Sequence, residues 1–336
     1  MTNRERFQAL LNGEPADRTP VIEWASWWNL TVNRWFEEGL PQEIKNVPHG
    51  LQRYFGQDHH WQFWIGGRNP DAPVAEHFGA PLIREAKDYD VFRKRYLYGD
   101  SILKRLEAEL EQYLQNDPSE EYVTWFTLEG FFWFPRTLFG IEEHLYAFYD
   151  EEEWMLRINR ELCDFYKKVI DLIYRKIKPQ FMTFAEDMSY NNGPMISHEL
   201  YKKFMHPFYL ELIPVIQSHG TKVFIDTDGA VEPLIPWFME SGIEGVLPLE
   251  RQAGVDVNRI RQNYPTFLML GGYDKTVMKH GEDAMRAEFE RIKPAIRQGR
   301  YIPSVDHQTP PDVSLENYKV YMRLLREYAR EYGKDL

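Results

Sequence analysis

The sequence predicts one α/β domain over residues 1–336, folded as a (β/α)8 TIM barrel with elaborated N-terminal loops and helices. First, strand-like and helix-like segments alternate along the chain, which is typical of βα units around a parallel sheet. Second, one α/β barrel commonly fills such a length, although 336 residues would also fit two ordinary domains. Third, seven strands can be placed, and residues 25–100 leave room for an eighth among long loops and short helices.

Each element is predicted from its periodicity and its end signals. The first helix begins with a capping box formed by Thr2 and Glu5 and ends before Gly13. Strands are predicted at 21–23, 122–128, 181–185, 222–225, 245–249, 266–270 and 301–305. Helices are predicted at 2–12, 101–115, 151–178, 197–219, 230–240, 255–263, 282–298 and 314–331. Pro207 and Pro214 predict a kink in the helix at 197–219.

The alternative architecture is a doubly wound open sheet with a nucleotide site. No G-x-G-x-x-G follows a predicted strand, no G-x-x-x-x-G-K-[ST] occurs, and Gly271-Gly272 alone is a weak signal. The sequence therefore favours the barrel and predicts no nucleotide cofactor.

Composition limits the classes of binding partner and the cell compartment that we expect for this protein. The 52 acidic residues against 40 Lys and Arg give a net charge of -12, which disfavours nucleic acid and anionic lipid. No apolar run approaches the ~18 residues of a membrane span, and charges stand where a signal peptide would be apolar. The single cysteine, Cys163, excludes an intramolecular disulfide and a thiolate metal cage. We expect a cytoplasmic protein without nucleic-acid or membrane partners, and leave a homo-oligomer open.

Nearly every predicted strand ends in an acid or a histidine. In a TIM barrel the carboxyl ends of the strands surround the active site, so these side chains would converge on one mouth. Any single acid could instead cap the next helix, and Asp228 before Gly229 is the best candidate for such a cap. As a set, they repel one another unless they bind a cation, share protons or meet a basic substrate. The strand-end residues are Glu23, Glu129, Glu186 with Asp187, Asp226 with Asp228, Glu250, Asp274, and Asp306 with His307.

Four of these residues form a candidate metal site. Asp226 and Asp228 are two residues apart and can both point into the mouth, and Glu250 and His307 would add a third carboxylate and an imidazole. This ligand chemistry suits Zn²⁺, Mn²⁺ or Fe²⁺ better than a soft thiophilic metal, and Zn²⁺ is the ion we expect.

Other residues have weaker signals. Nine of the ten tryptophans lie between Trp24 and Trp154, either as core or as an aromatic pocket wall. Arg136 could clamp a substrate carboxylate or form a structural ion pair. The histidines of the Asp58-His59-His60 run could be ligands or solvated. No G-x-S-x-G elbow occurs, which disfavours acyl-enzyme chemistry.

Five segments, in order along nearly the whole chain, resemble the uroporphyrinogen decarboxylase superfamily. They are RERFQALLNGEPADRTPV at 4–21, EDMSYNNGPMIS at 186–197, DTDG at 226–229, GGYDK at 271–275 and DHQTPPD at 306–312. The resemblance implies a TIM-barrel enzyme. One branch of the superfamily decarboxylates the acetate arms of uroporphyrinogen without a cofactor. The other transfers methyl groups to or from corrinoid proteins, and some of its members use zinc to activate a thiol.

The sequence departs from both branches. The decarboxylases carry an Arg-Gln-Ala-Gly-Arg segment that binds substrate carboxylates, whereas positions 23–29 here read EWASWWN. An acidic mouth would repel an octa-anionic porphyrinogen, although His307 stands at the position of a decarboxylase histidine. The zinc methyltransferases use a His-x-Cys-Gly segment and a later Cys as ligands. The resemblance places Asp226 at that His, Asp228 at the first Cys and His307 at the later Cys.

The sequence therefore favours a metal-assisted methyltransferase that moves a methyl group from a small methoxyaromatic or methylamine donor to a corrinoid protein. A carboxyl with a raised pKa could alternatively protonate the leaving group. The predicted roles are metal binding for Asp226, Asp228, Glu250 and His307, acid–base catalysis for Glu186, Asp187 and Glu129, and substrate binding for Glu23, Trp24, Arg136, Tyr190, Asp274 and Asp306. The alternatives are a cofactor-free decarboxylase of a tetrapyrrole or smaller aromatic acid, and a non-catalytic barrel that binds a cationic ligand.

Overall fold

The protein is described by a computed structural model over residues 1–25, 27–117 and 121–335. Ser26, inside the tryptophan-rich segment 23–29, therefore lies outside the described residues. The strands are β1 (His60–Ile65), β2 (Val123–Glu129), β3 (Phe181–Ala185), β4 (Ser189–Tyr190), β5 (Gly193–Pro194), β6 (Lys222–Asp226), β7 (Gly245–Leu247), β8 (Leu268–Tyr273) and β9 (Tyr301–Val305). The helices are α1 (Asn3–Asn12), α2 (Asn29–Glu37), α3 (Gly50–Tyr54), α4 (Ala86–Tyr96), α5 (Asp100–Asn116), α6 (Trp133–Phe139), α7 (Ile141–Asp150), α8 (Glu152–Lys176), α9 (His198–Phe204), α10 (His206–Ser218), α11 (Ile235–Glu240), α12 (Val257–Asn263), α13 (Glu282–Gln298) and α14 (Leu315–Ala329).

Seven strands form one parallel sheet in the order β1-β2-β3-β6-β7-β8-β9, and β4 and β5 form a separate small hairpin. The register places strand ends side by side, because Glu129 pairs with Ala185, Ala185 with Asp226, and Asp226 with Leu247. Residues that follow these positions therefore reach one edge of the sheet, as the sequence predicts. The strand expected between residues 25 and 100 is β1.

The sheet differs from the predicted eight-stranded barrel, because the expected strand at 21–23 joins no ladder among the described residues. A mixture of backbone and side-chain hydrogen bonds holds this segment instead. The Val21 carbonyl accepts from Asp58 N at 2.8 Å, and Val21 N–H donates to the Asp58 carboxylate at 2.9 Å. On the other side, the Glu23 carboxylate accepts from Val305 N–H at 3.3 Å. Side chains thus satisfy one N–H of this segment and one N–H of β9, and the preceding Pro20 has no N–H.

Helix α1 closes the interior of the sheet at the amino ends of the strands. Phe7, Leu10 and Leu11 of α1 are buried against the inner faces of the strands, and the Phe7 ring stacks on Phe181 with 5.3 Å between centroids. Burying a phenylalanine side chain contributes about 2 kcal/mol. A larger apolar cluster packs the helices on the outer face. The carboxyl ends of the strands are left for a polar site.

The helix predicted at 197–219 is two helices, α9 and α10, separated at Met205. Pro207 lies in the first turn of α10, where a missing N–H costs nothing, and Pro214 lies within α10. None of the described helices is long and apolar enough to cross a membrane.

Candidate functional site

A cavity of about 420 Å³ opens at the carboxyl ends of the strands. Its lining residues are Trp24, Ala25, Gln62, Trp64, Trp133, Ala185, Glu186, Asp187, Asp226, Thr227, Asp228, His307 and Gln308. Four of these are carboxylic acids, three are tryptophans, and none is a lysine or arginine. We call this site the acidic cavity.

The Asp226 side chain has no hydrogen bond or ion pair from the described part of the chain. Its backbone is held firmly, because the Asp226 carbonyl accepts from Glu186 N–H at 2.8 Å. Burial, followed by the negative charges of Asp228 and Asp187, raises the pKa of Asp226 well above its usual range. Burial therefore favours the protonated carboxyl, which can donate a hydrogen bond to a ligand.

Asp228 faces His307 in the acidic cavity, with 3.8 Å between Oδ2 and Nε2. Burial and the charges of Glu250 and Asp187 raise the pKa of Asp228 to about 7. Burial and the charge of Lys275 lower the pKa of His307. Both groups are therefore partly or wholly neutral at pH 7, and together they can hold or pass a proton.

Asp228 does not cap the turn that follows it, since no hydrogen bond to its carboxylate is formed by the described residues. The N–H of Gly229 donates to Glu250 Oε2 at 2.9 Å instead. Glu250 thus lies beside the acidic cavity, where its charge acts on Asp228, and does not line it. Trp24 does line the cavity, and its ring meets His307 edge-on at 6.3 Å.

Glu186 is buried and fully bonded. Its Oε1 accepts from Phe131 N–H at 2.7 Å and from the Tyr209 hydroxyl, and its Oε2 accepts from Phe132 N–H at 2.7 Å and from Trp133 N–H at 3.1 Å. Burial raises the pKa of Glu186 to about 7, and the four donors oppose that rise. Glu186 therefore holds the loop after β2 in place, which leaves no free oxygen for a substrate proton.

Asp187 and Arg136 form an ion pair at the edge of the acidic cavity. Arg136 Nη1 donates to Asp187 Oδ2 at 2.9 Å and to the Asp187 carbonyl at 3.0 Å. Asp187 has a φ of 43°, in the left-handed region that aspartate tolerates better than most residues. Burial raises the pKa of Asp187, and Arg136 opposes the rise. Of the two roles considered for Arg136, the structural ion pair is therefore present.

Glu129 and Glu23 are buried beyond the lining of the acidic cavity. Glu129 Oε2 accepts from Gly67 N–H at 3.2 Å, and burial raises the Glu129 pKa. Glu23 accepts from Tyr321, from Val305 N–H and from Ser304 Oγ, and burial raises the Glu23 pKa to about 7. Both fasten segments of backbone near the site.

Three other predicted residues also lie outside the lining. Asp306 is buried and accepts from Lys275 Nζ at 3.0 Å and Arg251 N–H at 3.0 Å. Asp274 caps the turn after β8 through Thr276 N–H at 2.8 Å. The Tyr190 side chain, on the β4–β5 hairpin, is exposed. The substrate-binding roles of these residues stay predictions.

The four candidate metal ligands meet at one edge of the sheet but do not form a ligand shell. Among the described residues, no group of three His, Cys, Asp or Glu side chains is arranged to hold a metal ion. Asp228 approaches His307 at 3.8 Å, and Glu250 accepts a hydrogen bond from Gly229 N–H. As arranged here, the residues do not fit the metal, so the metal site stays a prediction.

The prediction missed seven lining residues, which are Ala25, Gln62, Trp64, Trp133, Ala185, Thr227 and Gln308. Gln62 and Trp64 belong to β1, in the segment 25–100 where the sequence leaves room for a strand without placing it. Thr227 and Gln308 each follow a strand-end acid or histidine, so their position after β6 and β9 was an available signal. Trp24, Trp64 and Trp133 line the acidic cavity, while Trp35 and Trp125 are buried in the core, so the tryptophans occupy both of the positions considered for them.

Comparisons with known proteins agree with this architecture. The family model for uroporphyrinogen decarboxylase (URO-D) matches residues 148–328, more than half of the chain. A methyltransferase from Methanosarcina mazei has the same fold, with a TM-score of 0.65, 14% identity, and coverage of 98% of this chain and 99% of that chain. A B12-independent methionine synthase from Shewanella sp. W3-18-1 aligns with a TM-score of 0.41 and 9% identity, over 66% of this chain and 65% of that chain. No curated protein matches the sequence. The family match confirms the resemblance drawn from the sequence, and the chain belongs to the uroporphyrinogen decarboxylase (URO-D) family.

Proposed function

We propose that this protein is a methyltransferase that takes a methyl group from a small neutral or cationic donor, of the methoxyaromatic or methylamine type, bound in the acidic cavity. The observation that carries the proposal is the Asp226 carboxyl, which no described residue bonds, in a cavity with three tryptophans and no lysine or arginine among its described lining residues. The acceptor is a corrinoid protein, as the resemblance to the methyltransferase branch implies.

The charge of the acidic cavity supports this substrate class over a porphyrinogen. A substrate with many carboxylates would meet Asp187, Asp226 and Asp228 without a cation in the lining to receive it. The tryptophans offer flat apolar faces to an aromatic ring and π faces to an ammonium group. A cavity of about 420 Å³ is in the range of small-molecule sites.

The carboxyls of this cavity supply the proton that the reaction needs. With a methoxyaromatic donor, the bond between the methyl carbon and the ether oxygen breaks, and the methyl group goes to the acceptor. The ether oxygen leaves with the bonding electrons and takes the proton of Asp226 or Asp228, which yields a neutral phenol. The corrinoid, when bound on its partner, supplies the nucleophile. His307 can return a proton to Asp228 across the 3.8 Å gap when solvent reaches the cavity.

Turnover of defined donors tests the proposal. The purified protein is incubated anaerobically with cob(I)alamin as acceptor and with 2-methoxyphenol, trimethylamine or uroporphyrinogen. We expect loss of cob(I)alamin absorbance together with an equal amount of catechol or dimethylamine. Carbon dioxide release from uroporphyrinogen without an acceptor would establish a decarboxylase instead. Tight binding of trimethylamine without product would establish a non-catalytic binder.

A further inference from the structure

A second cavity, of about 320 Å³, shares the side chain of Trp133 with the acidic cavity. Its lining includes Arg68, His77, Phe78, Trp133, Arg136 and Thr137, and none of its described lining residues is an aspartate or glutamate. We call it the arginine cavity. The two neighbouring cavities therefore differ in the charge of their linings.

Both guanidinium groups of the arginine cavity have N–H donors to spare. Arg136 uses only Nη1 on Asp187, and its Nε and Nη2 meet no acceptor in the described chain. Arg68 donates no hydrogen bond to the described residues, and its closest carboxylate oxygen is Glu129 Oε1 at 3.9 Å. A guanidinium has five N–H groups in a planar fork that fits a carboxylate. These unused donors need an acceptor from outside the chain or from water.

The walls of the arginine cavity are fastened by backbone hydrogen bonds. Ile141 N–H donates to the Gly79 carbonyl at 3.1 Å, and Leu82 and Ile83 N–H donate to the Leu138 carbonyl at 2.8 and 3.0 Å. Gly140 permits this close packing, because it has a φ of 85° and a Cβ there would lie 2.7 Å from the Gly79 carbonyl oxygen. The loop that carries Ala75 to Ala80 is thus tied to the start of α7, and the cavity is preformed.

Aromatic rings complete the site. The Arg136 guanidinium lies over the Trp133 ring at 5.1 Å from its centroid, and the Phe78 side chain is 83% exposed at the rim. An exposed phenylalanine beside unused guanidinium donors suits a ligand that has a flat apolar part and an anionic part. A neutral or cationic ligand would provide no negative charge to pair with the two arginines.

We propose that the arginine cavity is a second ligand site, which binds a carboxylate carried on an aromatic ring. Arg68 and Arg136 bind the carboxylate, and Trp133 and Phe78 contact the ring. The site is distinct from the acidic cavity and does not depend on methyl transfer.

Calorimetric titration of the full chain with benzoate tests this site. Benzamide, which has the same shape without the charge, is the ligand control, and inorganic phosphate tests for a non-planar anion. We expect benzoate to bind at least tenfold more tightly than either. Arg68→Gln should weaken benzoate binding at least tenfold, because a charge-assisted pair is lost. Arg105→Gln, on an exposed α5 arginine paired with Glu109, should leave it unchanged.

Two further variants locate the bound benzoate. Ala75→Trp fills the arginine cavity without removing a charge and should abolish benzoate binding. This variant replaces Arg68→Gln in the test if Arg68→Gln does not fold. Asp226→Asn, in the acidic cavity, should change the affinity less than twofold. Equal binding of benzoate and benzamide, or of benzoate and phosphate, would overturn the proposal. So would benzoate binding that survives Ala75→Trp or is lost in Asp226→Asn.

Discussion

Asp228 and His307 face each other at 3.8 Å in the acidic cavity, and burial favours the uncharged form of both side chains. The Asp228 pKa of about 7 lies within the working pH range of an enzyme. An acid that donates a proton must hold it first, so its contribution is present below that pKa and lost above it.

We therefore predict that kcat/KM for a methoxyaromatic donor falls as the pH rises through about 7. The measurement is a pH profile of initial rates between pH 5 and 9. In Asp228→Asn the group cannot titrate, so the limb near pH 7 should disappear and the overall rate should drop. If the decrease in kcat/KM near pH 7 is the same in Asp228→Asn as in wild type, another group is responsible for the titration.

The unpartnered carboxyl of Asp226 makes a separate prediction. Asp226→Asn should lower kcat for methoxyaromatic donors about 100-fold, since general acid catalysis contributes roughly 10²–10⁴-fold. Its Tm should stay close to wild type, because no hydrogen bond from the described residues is lost. Asp171→Asn, an exposed α8 residue paired with Arg175, is the matched control and should change neither value. A wild-type kcat in Asp226→Asn would remove Asp226 from the chemistry.

Glu186 should behave as a positioning residue. In Glu186→Gln an NH2 group replaces one of the two carboxylate oxygens. Each oxygen accepts from two donors, so the NH2 group faces two donors and cannot accept from either. We expect a loss of about 3 kcal/mol in the free energy of unfolding by urea, because hydrogen bonds to a charged acceptor contribute roughly 1.5–3 kcal/mol each.

Tyr209→Phe removes one donor to Glu186 and should cost less than Glu186→Gln. Gly130→Ala should also destabilise the protein, because a Cβ at Gly130 would lie 1.9 Å from the Glu186 carboxyl carbon and displace that side chain. If Glu186→Gln is as stable as wild type and still loses kcat 100-fold or more, Glu186 is a catalytic residue.

Trp64 and Trp28 offer a matched pair for testing the aromatic wall. Both side chains are about half exposed, at 49% and 46%, but only Trp64 lines the acidic cavity. Trp64→Ala should raise KM for an aromatic donor about tenfold, which corresponds to the loss of roughly 1.4 kcal/mol of ring contact. Trp28→Ala should leave KM unchanged. Equal effects of the two substitutions would argue against a substrate-binding wall.

His144 predicts an acid-sensitive stability. It is fully buried between Phe132 and Phe148, neither ring nitrogen has a hydrogen-bond partner in the described chain, and burial lowers its pKa to about 3. The unfolded chain binds a proton below its ordinary pKa near 6.5, whereas the folded chain does not. The resulting stability is therefore present above pH 6.5 and lost as the pH falls toward 3.

His144→Phe removes this titration. The difference in unfolding free energy between His144→Phe and wild type should shift in favour of the variant by up to about 1.4 kcal/mol per pH unit between pH 6 and pH 4. Urea unfolding at several pH values measures it, with the exposed His280→Phe as control. A difference that does not vary with pH would mean that His144 titrates normally in the folded protein.

The sequence by itself determined the parallel α/β architecture and the gathering of Asp226, Asp228 and His307. Strand periodicity and helix end signals depend on residues that are neighbours in the sequence. Strands in parallel register then bring their carboxyl ends to one edge of the sheet. The family followed from short segments such as 226–229 and 306–312.

Only the tertiary structure decided which of the acidic side chains have carboxyl oxygens that accept no hydrogen bond from the described residues. Glu186 is bonded by N–H groups more than 50 residues earlier in the chain, and Glu23 by Ser304 and Val305 at the other end of the chain. The strand expected at 21–23 joins no ladder among the described residues, and its hydrogen bonds with distant segments run partly through the side chains of Asp58 and Glu23. A carboxylate looks alike in a sequence whether it will be bonded or free, since its donors come from distant segments that only folding brings within hydrogen-bond distance.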